Sequence, residues 1–195
     1  MGNIRNIVGL TDGWLRVKLE PGGDIVSLPE HLQVELTSSA GGRDFFTVQE
    51  GTHRGARCSV KAGNLSPGAV PMRKAVRLVY DRSDEKLSCG AVSVHAKMTA
   101  IKLLPDGEHP LQIPDFPHPG GRNYTGEARC AKSWFFIGAG SAVIGDSGTD
   151  RYLHTGMFSA GCITVDPQDW TTIYELLIKC RSGDGRTVGT VLVRK

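Results

Sequence analysis

A chain of 195 residues has room for one domain or two small ones, and 39% hydrophobic with 22% charged residues exclude a disordered or low-complexity protein. A net charge of +3, with no Lys/Arg block denser than Arg54/Arg57/Lys61 or Arg73/Lys74/Arg77, excludes a nucleic-acid stripe and a membrane-surface patch. No stretch approaches the ~20 apolar residues of a membrane span and none near the start has signal-peptide length, so a soluble chain without its own export signal is expected.

Glycine is over-represented, 25 residues against about 14 at average usage, which predicts many turns and many short strands. Residues 1–66 read as a β-rich N-terminal region. Trp14–Leu19 alternates apolar and charged residues, Gln33–Thr37 alternates again, and Phe45–Val48 follows the Gly41-Gly42 break. The stretch Asn64–Pro71, with two prolines and a glycine, is the expected linker. Val76–Tyr80, Lys86–Cys89 and Thr99–Leu104 are predicted strands of the second region, 72–195. Residues 105–121 hold five prolines and three glycines and are expected to form a long ordered loop, of the kind that covers a site. Trp134–Gly138 and Tyr152–His154 are short strands, and Gly138–Gly145 only echoes a dinucleotide-binding loop because its spacing is one residue too long.

One helix is predicted. Asp166 stands at its N-cap, Pro167 at N1 and Asp169 at N3, after which Trp170, Ile173, Tyr174 and Leu177 recur at helical spacing towards an end at Arg181 and Gly183. Thr187–Arg194 closes the chain as a strand. The fold class expected is mostly β with one main helix.

Chemistry concentrates in Arg151–Val165. Two short apolar pieces, 152–154 and 162–165, flank a loop of small residues, so pairing of the two would bring His154 and Cys162 together. A free thiol is only a few per cent ionised at neutral pH, and a histidinium within hydrogen-bond reach lowers its pKa by about two units or more. Cys162 is therefore the expected nucleophile and His154 its base. Gly161 frees the backbone to aim two amides at a developing oxyanion, and Ser159 offers a hydroxyl to the loop or the substrate. All six histidines precede Cys162, which disfavours the papain-like order, and caspase-like enzymes place their histidine some 50 residues upstream. The five cysteines include no C-x-x-C, so no zinc ribbon or thioredoxin motif is present, and no metal or other cofactor is expected.

The pattern His-x-Gly-x-x-Ser-x-Gly-Cys-Ile, met by His154, Gly156, Ser159, Gly161, Cys162 and Ile163, resembles the L,D-transpeptidase (YkuD-like) catalytic motif. It is nearest to a variant branch with closely spaced histidine and cysteine, which includes peptidoglycan-modifying amidases and antibacterial effectors. The resemblance implies a β-sandwich or barrel catalytic fold over 72–195, a thioester acyl-enzyme on Cys162, and transfer or hydrolysis on peptidoglycan stem peptides. A wall-directed enzyme would act in the periplasm or cell wall, which without an export signal leaves three expectations: a leader that precedes this sequence, a dedicated secretion machine with an immunity protein as partner, or action on recycled fragments inside the cell. Ala160 and Thr164 stand where many members carry histidine and arginine. Arg151 could take over a substrate carboxylate, and His118 could approach from the proline-rich loop as a second substrate contact. A reading from another class, a non-catalytic cell-wall or protein-binding domain on this scaffold with 1–66 as its contact surface, stands beside the enzyme.

Overall fold

The computed structural model describes residues 2–99, 103–137, 150–158 and 161–195. Six strands come first: β1 (Ile4–Asn6), β2 (Trp14–Leu19), β3 (Ile25–Pro29), β4 (Gln33–Ala40), β5 (Arg43–Val48) and β6 (Arg57–Lys61). They form one antiparallel sheet in the order β1-β4-β5-β6-β2-β3. The period-two pattern of β2 holds at Leu15 and Val17, which are buried while Arg16 faces solvent; Trp14, on the Arg16 side, is buried as well. Gly41 and Gly42, at φ +57° and +73°, form the tight turn between β4 and β5, where two successive left-handed residues match the strand twist. Past Asn6 the β1–β4 pairing runs on, as Ile7 N–H donates to Leu32 O and His31 N–H to Ile7 O.

The second sheet has eight strands: β8 (Val76–Asp81), β9 (Lys86–Cys89), β10 (Val92–Lys97), β11 (Gly107–Gln112), β12 (Phe135–Phe136), β13 (Tyr152–Thr155), β14 (Ile163–Val165) and β16 (Thr187–Arg194). A separate ribbon pairs β7 (Arg73–Lys74) with β15 (Cys180–Arg181). The eight-stranded order is β11-β16-β8-β9-β10-β14-β13-β12, with β8/β16 and β13/β14 parallel and the other pairs antiparallel. A bridge between Leu111 and Ile137 ties the two edge strands together, so the sheet is a nearly closed mixed barrel. The one α-helix among the described residues, α1 (Pro167–Leu177), buries Trp170, Ile173, Tyr174 and Leu177. Two of these lie against Phe135 of β12, with ring centroids 6.0 and 6.2 Å apart. The chain is thus mostly β with a single longer helix.

Several local expectations need correction. The proline-rich segment is not a loop throughout: β11 runs through Pro110, and Pro119–Tyr124 forms a 3₁₀ helix with proline at its start. β11 is an edge strand joined across the seam by one bridge, the setting in which a missing N–H is tolerated. Asp166 occupies the N-cap of α1, but its side chain makes no capping bond; it accepts instead from His95 Nδ1 at 2.9 Å. The helix stops at Leu177, because Cys180–Arg181 are drawn into the β7 ribbon before Gly183 is reached. Of the expected strand Thr99–Leu104, Leu103 and Leu104 lie outside any strand and 100–102 outside the described residues, as does the glycine-rich stretch from 138 to 145.

Candidate active site

His154 lies on β13, which pairs in parallel with β14, and Cys162 immediately precedes β14. β13 and β14 run side by side in the register Leu153–Ile163, His154–Thr164 and Thr155–Val165. Alternation sends Leu153, Ile163 and Val165 into the apolar core. Tyr152, His154 and Thr164 take the other face, and Cys162, two residues before Thr164, precedes β14 on that side. Thr164 Oγ1 lies 3.4 Å from His154 Nε2 across the pair. The Tyr152 N–H donates to Cys162 Sγ at 3.4 Å, just where strand pairing begins.

The imidazole is held in one tautomer. A carbonyl oxygen can only accept, so the 2.8 Å contact from His154 Nδ1 to Thr155 O places the proton on Nδ1 and leaves Nε2 as the basic nitrogen. His154 is only 4% exposed. Burial drives its pKa down to about 4, against which the Thr155 carbonyl works in the opposite direction; the nearby His118 adds to the depression. Burial also raises the Cys162 thiol above its ordinary value, opposed by the Tyr152 N–H and the Arg151 charge. Burial therefore opposes the charge on both groups.

The remaining sequence-predicted residues fall as follows. Gly161 is buried with φ +92°, a conformation that a side chain opposes, so glycine is required for the chain to enter β14 at this angle. Arg151 is 1% exposed, and its Nη1 donates to the Asp150 carbonyl at 3.2 Å. Its charge lowers the Cys162 thiol's pKa against the effect of burial. Ser159 lies outside the described residues. His118 is buried, one ring removed from His154, with Trp134 between them. Its Nε2 donates to Asp115 Oδ1 at 2.9 Å.

Sequence reading missed three contributors. Thr164 was legible only as a departure from a motif, although its two-residue spacing from Cys162 puts it on the same face. Trp134 reads as a packing residue yet lies flat on His154, centroids 4.3 Å apart and planes 24° apart. Tyr124, from the 3₁₀ helix, accepts the Met157 N–H with its hydroxyl and so braces the loop after His154. No local signal pointed to the last two, because both come from segments more than 15 residues away in the chain.

All five cysteines are free thiols. Among the described residues no group of three or more His, Cys, Asp or Glu side chains is placed to hold a metal ion, and no helix is long and apolar enough to cross a membrane. No family model matches this chain, and no curated protein matches its sequence.

Proposed function

We propose that this chain is a cysteine-dependent acyltransferase or hydrolase acting on peptidoglycan stem peptides, with Cys162 as nucleophile and His154 as general base. On this reading 72–195 is an L,D-transpeptidase-like catalytic domain and 1–66 a small β-rich region that precedes it. The observation that supports the proposal is the pairing of β13 with β14: Nε2 of a tautomer-fixed imidazole lies 3.4 Å from Thr164 Oγ1, two residues after Cys162, whose sulfur accepts the Tyr152 N–H.

On this reading the sulfur starts as a thiol and His154 as a neutral base, in keeping with burial that opposes charge on both. As the sulfur attacks the carbonyl carbon of a meso-diaminopimelate- or D-amino-acid-containing peptide, the thiol proton passes to His154 Nε2. Backbone N–H groups at 161 and 162 hold the developing oxyanion, the arrangement that a left-handed Gly161 permits. Nε2 then returns the proton to the leaving amine and a thioester remains on Cys162. An incoming amine or water gives its proton to the same nitrogen, attacks the thioester and releases the thiol. Action in the periplasm or cell wall, delivery by a secretion machine and control by an immunity protein belong to this proposal.

One observation favours the non-catalytic reading, a cell-wall or protein-binding domain: burial raises the Cys162 thiol, as it would an inert core cysteine. A single experiment separates the two. Incubation with a stem peptide carrying meso-diaminopimelate followed by a D-amino acid, read by intact-mass spectrometry, should give a Cys162 adduct and a released D-amino acid. Both should vanish in Cys162→Ala, and the adduct should form far more slowly in His154→Ala. No adduct, together with iodoacetamide labelling of Cys162 no faster than that of Cys89, would reject the enzyme in favour of the binding domain.

A further inference from the structure

The dyad is backed by a stack of four rings that the proposed chemistry above does not use. Phe116 lies on His118 with centroids 4.1 Å apart, His118 on Trp134 at 4.3 Å and only 7° from parallel, and Trp134 on His154 at 4.3 Å. Tyr152 closes the side of the stack, its ring edge-on to His118 at 4.5 Å and to Trp134 at 5.7 Å. Asp115 joins these parts. Its Oδ1 accepts from His118 Nε2 at 2.9 Å and from the Phe116 N–H at 2.9 Å, while its Oδ2 accepts from the Tyr152 hydroxyl at 3.1 Å.

Each member is fixed independently of the dyad. Trp134 Nε1 donates to Ala131 O at 3.1 Å, which sets the indole plane. A Cβ on Gly120 would come within 2.9 Å of that indole, so glycine there is what lets the 3₁₀ helix pack flat against it. The His118 backbone N–H donates to Lys132 O at 2.9 Å, which anchors the proline-rich segment to the stretch leading into Trp134. His154, by contrast, is held in its own plane by one short bond at Nδ1 and a long contact at Nε2. A free imidazole so held can still rock about its last torsion, which is a broad one. A flat plate 4.3 Å away restricts that rocking, and the same plate keeps water off one face of the ring.

We infer that Asp115, His118 and Trp134 are positioning residues: the carboxylate locks His118 and Tyr152, His118 seats Trp134, and Trp134 fixes the plane from which His154 Nε2 meets the Cys162 thiol. Tyr152 carries the same constraint to the sulfur, since its ring is tied to Asp115 and its N–H donates to Cys162. The inference rests on the dyad proposed above. It explains why a segment with five prolines lies beside this site: rigid backbone delivers Asp115, Phe116 and His118 in one geometry with little conformational freedom to lose.

The test is the rate of Cys162 alkylation by iodoacetamide as a function of pH, in the full chain and in variants whose thermal unfolding shows them folded. Asp115→Asn keeps the shape but gives up one of the two side-chain links. His118→Phe keeps the stack and loses the link to Asp115. Each should lower the His154-dependent rate at neutral pH about tenfold or more and shift the profile towards that of an unassisted thiol. Trp134→Leu should do the same, and Trp134→Phe, which restores a flat plate, should recover most of the loss. If wild-type Cys162 is activated by His154 and all of these variants alkylate with the wild-type profile, the positioning role is wrong and the dyad stands. If wild-type alkylation is indifferent to His154→Ala, dyad and positioning role fall together.

Discussion

His154 is the residue whose environment most constrains the chemistry. Burial opposes charge on this ring, so on the proposed reading it takes the proton as the bond to sulfur forms rather than holding a preformed thiolate. The same burial has a stability consequence. The folded-state pKa of about 4 lies below the ordinary 6.5, so on acidification the unfolded chain binds the proton first. Stability is unaffected by this group above about pH 6.5 and falls as the pH drops from there towards 4, by about 1.4 kcal/mol per unit at most. Urea unfolding at pH 7 and at pH 4.5 should therefore show wild type losing about 2 kcal/mol more than His154→Gln, which cannot titrate. Equal losses in the two would mean that the imidazole is not shielded as described.

At the scale of elements, α1 and β10 are joined by a link that the capping pattern concealed. Asp166 stands where a capping carboxylate belongs, yet it turns to His95, which also meets Glu85 at 3.2 Å. The two carboxylates, Asp166 first, raise the His95 pKa above its ordinary value. Asp166→Ala should lower that pKa towards the usual histidine range, measured by NMR titration of the ring, while α1 keeps its start because Pro167 and the backbone already define it. An unchanged His95 titration would show that the link does not persist in solution. The Asp166-Pro167 signal and the apolar spacing of Trp170, Ile173, Tyr174 and Leu177 made the helix legible. The alternation in β2 and the apolar runs of β8 and β16 did the same for those strands. β1, β3 and β6 escaped because short strands flanked by charges or turns carry too little periodicity, and β11 escaped because proline tolerance depends on being at a sheet edge; β10 was missed although Val92–Lys97 alternates apolar and polar residues.

At the scale of the molecule, the two sheets share a continuous core and are pinned by ion pairs between distant parts of the chain. Arg129 reaches Glu30 at 2.8 Å, Lys132 reaches Asp12 at 2.6 Å, and Arg181 reaches Glu50 at 2.8 Å. The last pair is the deepest, with side chains only 9% and 5% exposed, and its other donors and acceptors are occupied as well: Glu50 accepts the Gln33 N–H, and Arg181 donates to the Ile178, Cys180 and His31 carbonyls. Removing one partner leaves a buried charge without its counter-ion, so Glu50→Ala should cost about 3–5 kcal/mol in denaturant unfolding. Because the pair lies away from Cys162, the folded variant should keep the wild-type alkylation profile. A cost below about 1 kcal/mol would place the pair among the ordinary surface bridges.

The amino-acid sequence by itself determined the mostly β class of fold and singled out the proposed pair, because both are written locally: alternation and glycine spacing report strands and turns, and His154 and Cys162 lie eight positions apart. Tertiary structure alone decided how far that pair is desolvated and the company it keeps. Desolvation depends on everything packed around a group, and Asp115, His118 and Trp134 reach His154 only because the barrel closes between Leu111 and Ile137, a contact between strands that lie more than 20 residues apart.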